Sequence, residues 1–423
     1  MLREMIVEQQ QQFEDRPIGI RRTQLSRIKR RVELPHVVVV SGLRRCGKST
    51  LLSQIRQAYY KGAVYYFNFE DERLSGMASR DLNDLYELFL ELFGESRVFF
   101  FDEIQNIPGW ELFVRRMRDR GFKFYITGSN ASLLSKEIGT RLTGRYLPME
   151  LYPFSFEEFL LFKGHVFEER QLYSTKDRAV LKRYFNEYLK KGGLPEFLKY
   201  EDRDILKALY DDILYRDIVA RYEIKEIQTL RDLSLYLLSN AGTPFSYNRL
   251  KQMLGLGSVN TVKSYIEYLE NTYLIATVTP FSHSLRKQLA GQKKAYGVDN
   301  GLLSFVSFKF SENRGRFLEN LVFMELKRRG KEVYYYKTQN GREVDFLVKE
   351  GREPKELIQV TQGLGKQNVK EREIGALVLA MKELGMRKGL LLTEEDETEI
   401  KTNHKVIEVR PIYKWLLAGV KIE

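Results

Sequence analysis

The sequence is poor in cysteine and in long apolar segments. Its 423 residues include one cysteine, Cys46, so no disulfide can form within the chain. No apolar stretch approaches the roughly 18 residues that a membrane-spanning helix needs, and the opening segment MLREMIVEQQQQFEDR is too polar for a signal peptide. These absences predict a cytoplasmic protein with no membrane association.

Negative charge is also in deficit. Lysine and arginine together number 69 against 57 aspartates and glutamates, which gives a formal net charge of +12 and a sequence pI near 9.3. An excess of this size indicates a polyanionic partner. The length is sufficient for two to four domains with cores of their own.

The segment HVVVVSGLRRCGKSTLL joins an apolar run to a helix through a loop bounded by glycines. Consecutive β-branched residues are typical of a strand buried on both faces of a parallel sheet. Gly42, Gly47, Lys48 and Ser49 have the spacing of a phosphate-binding loop, whose backbone N–H groups point at phosphate oxygens. We expect Lys48 to reach the β- and γ-phosphates and Ser49 to bind Mg²⁺, with Thr50 also at the nucleotide. The alternative is a glycine-rich turn without a catalytic role.

Two further strands are predicted to end in polar side chains. RVFFFDEIQNI delivers Asp102 and Glu103 to the carboxyl end of a strand, where ligands collect in open α/β sheets. We expect Asp102 to hold Mg²⁺ through water and Glu103 to polarise the attacking water; the alternative is an acidic strand end with no role. FKFYITGSN ends at Asn130, which either orients the γ-phosphate or the water, or serves a turn or helix cap. Another strand is predicted at VYYFNFED.

The order of GLRRCGKST, FFFDEIQN and TGSN, followed by LLSKEIGTRLTGRY and YPFSFEEF, resembles that of AAA-type ATPases of archaea and bacteria with a C-terminal domain related to restriction-like nucleases. The resemblance runs over essentially the whole chain. It implies ATP and Mg²⁺ as cofactors, and a homo-oligomer in which an arginine acts on the nucleotide of the neighbouring subunit. Arg145 matches that arginine and Arg141 is the second candidate. Either could instead pair with a surface carboxylate.

The segment KKGGLPEFL interrupts a helical pattern with two glycines and a proline. In the signalling-type ATPases that the chain resembles, a Gly-x-Pro turn in a helical lid packs beside the adenine. The resemblance therefore implies that Pro195 contacts the nucleotide, within a lid over residues 161–222. Any connection between two helices can use glycine and proline, however, so the motif alone is a weak signal.

A basic helix is predicted just before the first strand, in IGIRRTQLSRIKRRV. Leu25, Ile28 and Val32 form its apolar face, and arginines and lysines surround that face. The helix either touches nucleic acid or is simply solvated.

A winged helix-turn-helix is predicted for residues 223–305. Helical apolar spacing in IQTLRDLSLYLLSNAG is followed by a shorter helix, a glycine turn, a third helix and a hairpin. Asn260, Thr261 and Lys263 lie on the exposed face of the third helix, where they could read DNA bases. The wing residues expected to contact phosphates are Arg286, Lys287, Lys293 and Lys294. Two glutamates of the third helix would repel DNA, and docking of a protein is the alternative role.

The last part of the chain, residues 306–423, is predicted as a separate α/β domain. A helix over RGRFLENLVFMELKRRG precedes strands EVYYYK, REVDFLV and LIQVT, a helix from about 367 to 386 and a strand GLLLT. This order resembles the PD-(D/E)XK nuclease fold. The resemblance implies metal ligands at Glu319 and Asp345; the alternative is a carboxylate pair that satisfies buried backbone groups or a basic neighbour.

The third metal-site motif of that fold, an acid and a lysine on one strand, is missing. Gln359 and Thr361 stand in its place, which weakens the ligand field for a divalent metal and removes the cation beside the attacking water. The resemblance therefore implies a degenerate nuclease. Lys366 or Lys370 could substitute for the missing lysine.

The sequence thus predicts an α/β protein with an AAA-like P-loop core over 1–160, a helical lid over 161–222, a winged helix-turn-helix over 223–305 and a nuclease-like domain over 306–423. The expected activity is Mg²⁺-dependent ATP hydrolysis coupled to DNA binding or remodelling. An ATP-dependent protein-interaction or signalling switch without a direct role on DNA is the alternative.

Overall fold

The computed structural model describes residues 1–131, 142, 144–306, 313–365, 367–402 and 404–418. The chain divides into two compact units. The first comprises Met1–Tyr152 and Asn271–Tyr273, and the second comprises Pro153–Glu270 and Leu274–Glu423. Helices and sheets occur in both units, and the predicted α/β class and parallel sheet are confirmed.

The first unit is built on a five-stranded sheet in which every neighbouring pair of strands is parallel. Its strands are β1 (Val37–Ser41), β2 (Tyr65–Asn68), β3 (Val98–Asp102), β4 (Lys123–Gly128) and β5 (Tyr146–Glu150), in the order β2-β3-β4-β1-β5. The sequence predicts the first four. β5 escapes prediction because its segment YLPME contains a proline, which fits a strand at the edge of a sheet.

Helices connect the strands of the first unit. They are α1 (Leu2–Glu14), α2 (Leu25–Val32), α3 (Lys48–Tyr59), α4 (Leu82–Phe93) and α5 (Trp110–Asp119), with 3-10 turns at Glu72–Leu74, Ser79–Asp81 and Ile104–Asn106. The predicted basic helix thus begins only at Leu25. Arg22, which the prediction places around its polar sides, is buried and donates to the backbone oxygens of Cys46 (2.8 Å) and Tyr152 (2.6 Å). Arg22 therefore belongs to the interior of the unit.

Aromatic side chains pack on both faces of the sheet. On β3, Phe99 stacks on Phe124 with ring centroids 4.7 Å apart, and the next residue, Phe100, stacks on Tyr125 at 4.9 Å. Because successive side chains of a strand point to opposite faces, the two pairs lie on opposite sides of the sheet. The continuous apolar run of β3 therefore indicates burial on both faces correctly.

α1 covers the backbone of the edge strand β2. The Gln10 side chain accepts a hydrogen bond from the Tyr66 N–H (3.0 Å) and donates one to the Val64 oxygen (3.1 Å). Gln9 accepts from the Asn68 N–H (2.8 Å) and donates to the Asn68 oxygen (3.3 Å). The two carboxamides thus take the place of a neighbouring strand, and they protect an edge that would otherwise offer its backbone to another chain.

The second unit is rich in helices. They are α6 (Phe156–Phe162), α7 (Thr175–Lys191), α8 (Pro195–Tyr200), α9 (Arg203–Asp211), α10 (Ile227–Ser239), α11 (Tyr247–Met253), α12 (Val259–Asn271), α13 (Leu285–Ala290), α14 (Asn300–Val306), α15 (Arg314–Arg328), α16 (Gln367–Glu383) and α17 (Ile412–Leu417). A 3-10 turn covers Glu169–Leu172, and α9 continues as a π-helix over Asp212–Ala220. In the described part of the chain, no helix is both long and apolar enough to cross a membrane.

Two sheets belong to the second unit. The smaller is antiparallel and has the order β6-β8-β7, with β6 (Pro244–Phe245), β7 (Ile275–Val278) and β8 (Lys293–Gly297). The larger is mixed and has the order β13-β14-β12-β11-β10-β9, with β9 (Glu332–Lys337), β10 (Glu343–Glu350), β11 (Glu353–Val360), β12 (Lys388–Thr393), β13 (Thr398–Thr402) and β14 (Lys405–Pro411). β12 is parallel to both of its neighbours, β11 and β14.

Most elements predicted for the second unit are confirmed. These are the helices α10, α11, α12, α15 and α16 and the strands β9 to β12. β13, β14 and α17 are not predicted. The segment TEIKT of β13 carries only one apolar residue and lies at the sheet edge, so no hydrophobic alternation marks it as a strand.

Replacing Gln10 with alanine should lower the free energy of unfolding by about 2 kcal/mol, because the Tyr66 N–H on β2 and the Val64 oxygen just before β2 lose their hydrogen-bond partner. Gln11→Ala is the matched control, since Gln11 is exposed on the same helix, and it should change the stability by less than about 0.5 kcal/mol. Urea denaturation followed by circular dichroism measures both, and hydrogen exchange over residues 64–68 gives the local effect. Equal stability of the two variants would contradict the edge-covering role of Gln10.

Candidate functional site

The loop between β1 and α3 has a backbone that requires glycine at two positions for different reasons. Gly47 has φ +98°, in the left-handed region, and directly precedes α3. Gly42 follows β1, where a Cβ atom would lie 2.1 Å from the backbone oxygen of Leu151. The loop therefore has the curled backbone and the following helix N-terminus that bind phosphate.

Lys48 places its ammonium group beneath this loop. The side chain is 5% exposed, and Nζ donates to the backbone oxygens of Gly42 and Leu43, both at 3.2 Å. Nζ also lies 3.3 Å from Oε1 of Glu103. Burial lowers the pKa of Lys48, but its neighbours, led by the Glu103 carboxylate and including Asp102, together outweigh burial and raise the pKa. The structure thus brings the predicted phosphate-binding lysine and the predicted catalytic glutamate into one ion pair.

Asp102 ends β3 among hydroxyl groups. Tyr66 donates to its Oδ2 (3.1 Å), Thr127 donates to its Oδ1, and the Ser49 hydroxyl also hydrogen-bonds its carboxylate. Burial, and then the neighbouring Glu103, raise the pKa of Asp102 above its usual value. Ser49 and Asp102, the two predicted Mg²⁺ ligands, are therefore adjacent, and a hydroxyl beside a carboxylate is the oxygen donor set that fits Mg²⁺.

Glu103 adopts a left-handed backbone conformation, with φ 52° and ψ 42°. This conformation costs a residue other than glycine about 1–3 kcal/mol and is typical of functional sites. Four contacts hold the residue: its N–H donates to the Thr127 hydroxyl (3.0 Å), and its carboxylate accepts from Ser129 N (3.1 Å) and Gln105 Nε2 (2.5 Å) and pairs with Lys48. Burial raises the pKa of Glu103, but Lys48, the Gln105 hydrogen bond and Arg44 together outweigh burial and lower the pKa.

Three side chains that contribute to this site, besides the backbone N–H of Ser129, lie outside the predicted set. Thr127 bridges Asp102 and Glu103, Tyr66 holds Asp102, and Gln105 holds Glu103. For Thr127 a signal exists, since it lies near the end of β4, whose register places it beside the end of β3. For Tyr66 and Gln105, nothing in the sequence distinguishes a site contact from an ordinary strand or turn residue.

The other predicted nucleotide-site residues of the first unit differ in their burial and contacts. Asn130 is buried just beyond the end of β4, and Thr50 is half-buried in the first turn of α3. Arg145 is 42% exposed, and its guanidinium lies 2.6 Å from both carboxylate oxygens of Asp119. Within one chain, Arg145 therefore makes the surface ion pair that the sequence leaves as the alternative. Arg141 lies outside the described residues.

Pro195 lies in the second unit and begins α8, a position where its missing N–H costs nothing. The two preceding glycines are required by packing, because a Cβ on Gly192 would lie 2.2 Å from the Asp299 carboxylate and one on Gly193 2.3 Å from the Phe154 oxygen. Asp299 accepts from the Gly193 N–H (2.6 Å), and burial raises its pKa to about 6. These contacts account for the glycines of GGLP, and an adenine contact by Pro195 stays a prediction.

The predicted DNA-contacting residues differ in exposure. Asn260 and Lys263 are exposed on α12 and Thr261 is half-buried there. Arg286 and Lys287 are exposed on α13, a short helix where the sequence predicts a hairpin loop, and Lys293 is half-buried. These placements keep the residues on the surface.

Lys294 is an exception, and its prediction as a DNA contact is wrong. Its side chain is 1% exposed, and Nζ lies 2.8 Å from Glu343, 3.1 Å from Glu319 and 3.8 Å from Asp345. The predicted metal ligands Glu319 and Asp345 therefore face an ammonium group. Among the residues that the structure describes, no group of three or more acidic, histidine or cysteine side chains is arranged to hold a metal ion.

The predicted loss of nuclease activity also concerns Gln359, Lys366 and Lys370. Gln359 accepts from the Asp345 N–H (3.1 Å) and donates to Glu373 (2.6 Å). Lys370, a predicted substitute for the missing lysine, is exposed on α16, and Lys366 lies outside the described residues.

Comparison with known proteins assigns the first unit to a class. The profile of a family described as an AAA domain matches residues 35–160, the part that contains β1, the phosphate-binding loop, Asp102 and Glu103. Two domains of unknown function match residues 182–313 and 314–414. Residues 35–160 therefore form an AAA domain with a phosphate-binding-loop motif.

Two curated relatives define the family more narrowly. An uncharacterized protein of Methanocaldococcus jannaschii is 41% identical over 90% of this chain and 88% of its own length. An uncharacterized protein of Haemophilus influenzae is 33% identical over 75% of this chain and 80% of its own length. The chain belongs to the same family as these two proteins. A Walker-type ATPase of Pyrococcus abyssi aligns with a TM-score of 0.44 at 15% identity, over 70% of this chain and 99% of that chain.

Replacing Thr127 with valine should lower the free energy of unfolding by about 2 kcal/mol, because valine keeps the shape but leaves the Glu103 N–H and the buried Asp102 carboxylate short of one partner each. Thr127→Ser is the matched control, since it keeps the hydroxyl, and it should lose much less. Urea denaturation compares the two variants. If serine destabilises the chain as much as valine does, the hydroxyl bridge is not the source of the effect.

Proposed function

We propose that the first unit binds ATP and hydrolyses it to ADP and phosphate with Mg²⁺. The observation that carries the proposal is the convergence of Lys48, Asp102 and Glu103 at the phosphate-binding loop. Lys48 would pair with the β- and γ-phosphates, and Ser49 and Asp102 would hold Mg²⁺, which neutralises charge that develops on the phosphate oxygens. The polar groups and the curled loop described above fit both ligands.

The Lys48–Glu103 ion pair suggests how binding prepares hydrolysis. A triphosphate offers the Lys48 ammonium a second anionic partner in competition with the Glu103 carboxylate. Because Lys48 lowers the pKa of Glu103, a weakened pair makes Glu103 a stronger base for the proton of the attacking water. Ser129 N and Gln105 continue to hold the carboxylate in place during this exchange.

Arg145 is the proposed residue that acts on the nucleotide of a neighbouring subunit in a homo-oligomer. Its partner Asp119 is exposed and its own side chain is 42% exposed, so the ion pair between them is weak enough to be exchanged for a phosphate. An arginine supplied in this way stabilises the charge of the transferring phosphoryl group.

Lys48→Ala should abolish nucleotide binding, and Glu103→Gln should retain binding while the steady-state ATPase rate falls by about 100-fold or more. The glutamine keeps the size and hydrogen bonds of Glu103 but cannot take a proton. A fluorescent ATP analogue measures binding, and phosphate release in the presence of Mg²⁺ measures turnover. Unchanged hydrolysis in both variants would contradict the proposal.

We propose in addition that ATP hydrolysis is coupled to DNA binding by residues 223–305. The helices α10, α11 and α12 and the antiparallel sheet β6-β8-β7 have the element order of a winged helix-turn-helix. Lys263 on α12 and Lys293 on β8 both lie beside the ring of Tyr247, at 5.6 and 5.5 Å from its centroid. The helix and the sheet thus present positive charge at one place on the surface, which suits a phosphate backbone.

The charge of α12 is less unfavourable to DNA than its sequence indicates. Glu270, one of the two glutamates expected to repel DNA, accepts hydrogen bonds from the backbone N–H (2.9 Å) and the hydroxyl (2.7 Å) of Thr277. Its carboxylate is thereby turned to the edge of β7. A nucleotide-dependent protein-interaction switch remains the second candidate function, because helices and a small sheet of this kind also dock proteins.

Arg286→Ala combined with Lys287→Ala should weaken binding of duplex DNA and reduce the steepness of log K against log salt concentration by about 1 to 2. The reason is that fewer counterions are released from DNA when fewer phosphates are contacted. Lys176→Ala combined with Lys207→Ala is the matched control, because it removes the same charge from exposed helical positions elsewhere in the second unit. Fluorescence anisotropy between 50 and about 200 mM salt measures both. Absence of DNA binding by the wild type at low salt would favour the protein-interaction switch.

A further inference from the structure

Lys294 connects three elements of the second unit that are distant in sequence. It lies on β8, and its carboxylate partners are Glu319 on α15 and Glu343 and Asp345 on β10. Nζ lies 3.1 Å from Glu319, 2.8 Å from Glu343 and 3.8 Å from Asp345, and the Lys294 side chain is almost fully buried. An ammonium group thus lies among three carboxylates.

The carboxylates are held in place by further hydrogen bonds. Tyr296 donates its hydroxyl hydrogen to Oε1 of Glu319 (2.7 Å). The Val360 N–H donates to Oδ2 of Asp345 (2.9 Å), and Gln359 accepts the N–H of the same aspartate. The carboxylate positions of Glu319 and Asp345 are therefore fixed by neighbours on β8 and β11 and do not depend on Lys294 alone.

Such a set of oxygens is the environment that hard divalent cations prefer. Mg²⁺ and Mn²⁺ bind carboxylate oxygens, and an ammonium is a compact cation of similar demands. We propose that the Lys294 ammonium occupies the position of a divalent cation in this carboxylate set and thereby closes the C-terminal domain to metal. The domain would then perform no metal-dependent strand cleavage, whatever the first unit does with ATP.

The balance of charge supports this assignment. The carboxylates of Glu319, Glu343 and Asp345 all face the one Lys294 ammonium, and of the three only Asp345 is buried. Several carboxylates around a single cation is also the arrangement that a divalent cation receives from its ligands.

The test is to remove the ammonium from the full chain. Lys294→Ala leaves space among the carboxylates and should gain one Mn²⁺ site per chain, with affinity at least tenfold higher than any site of the wild type. Electron paramagnetic resonance of free Mn²⁺, titrated without nucleotide, measures the number of sites and their affinity. A rise in the melting temperature with Mn²⁺ should accompany the gain.

Two controls isolate the cluster from the nucleotide site, where Ser49 and Asp102 stay unchanged in every variant. Lys294→Ala combined with Asp345→Asn should lose the gained site. Lys287→Ala removes an exposed lysine of the adjoining helix α13 and should leave Mn²⁺ binding as in the wild type.

Each possible outcome either supports or overturns the proposal. A variant that folds only in the presence of Mn²⁺ supports the proposal, because the metal then replaces the ammonium. A folded Lys294→Ala chain that gains no site overturns it, as does failure to fold both with and without Mn²⁺. Mn²⁺ binding by the wild type that disappears in Asp345→Asn would overturn it as well, since the ammonium would not exclude metal.

Discussion

A buried ammonium group must face carboxylates, and the site of the first unit depends on this constraint. Leaving one charge of such a pair unpartnered costs several kcal/mol, so Lys48 can be buried only where a strand end delivers Glu103 to it. The left-handed backbone of Glu103 carries the chain out of β3 at that point. Its strain is offset by hydrogen bonds to Thr127, Ser129 and Gln105, which a less constrained residue would not need.

The same constraint shapes the second unit. Lys294 satisfies its burial with carboxylates from α15 and β10, and in doing so it fixes the position of β8 against both elements. Buried ion pairs are rarely the most stabilising choice, since well-packed apolar groups often do better. What such a cluster adds is a positional constraint, because Lys294 keeps its three partners only while β8, α15 and β10 stay together.

The parts of the structure that the sequence predicts are those decided locally. The phosphate-binding loop and the apolar strands β1 to β4 follow from residue type and spacing over a few positions. The paired lysines of QKKAYG show why prediction stops there. Lys293 and Lys294 are adjacent and chemically identical, yet alternation along β8 turns one towards solvent and the other into the interior.

The four glutamines of α1 make the same point. Gln9 and Gln10 replace a missing strand beside β2, whereas Gln11 and Gln12 are exposed. The difference depends on which helix face meets the sheet edge, and a run of identical residues cannot encode that by itself. The role of the glycines in GGLP cannot be predicted from the sequence for a related reason. The residues that crowd Gly192 and Gly193 are Asp299 and Phe154, which are far away in sequence.

Competition for Lys48 gives both candidate functions a common first step. Its ammonium already has three oxygen partners within the unit, two backbone oxygens of the loop and Glu103. A phosphate group that binds the loop must compete with these oxygens. Glu103 is the partner whose basicity changes when its ion pair with Lys48 weakens. The proposed binding of a nucleotide would therefore be coupled to the basicity of Glu103 inside one unit, before any partner is considered. DNA or a protein would differ only in how each uses the result of hydrolysis.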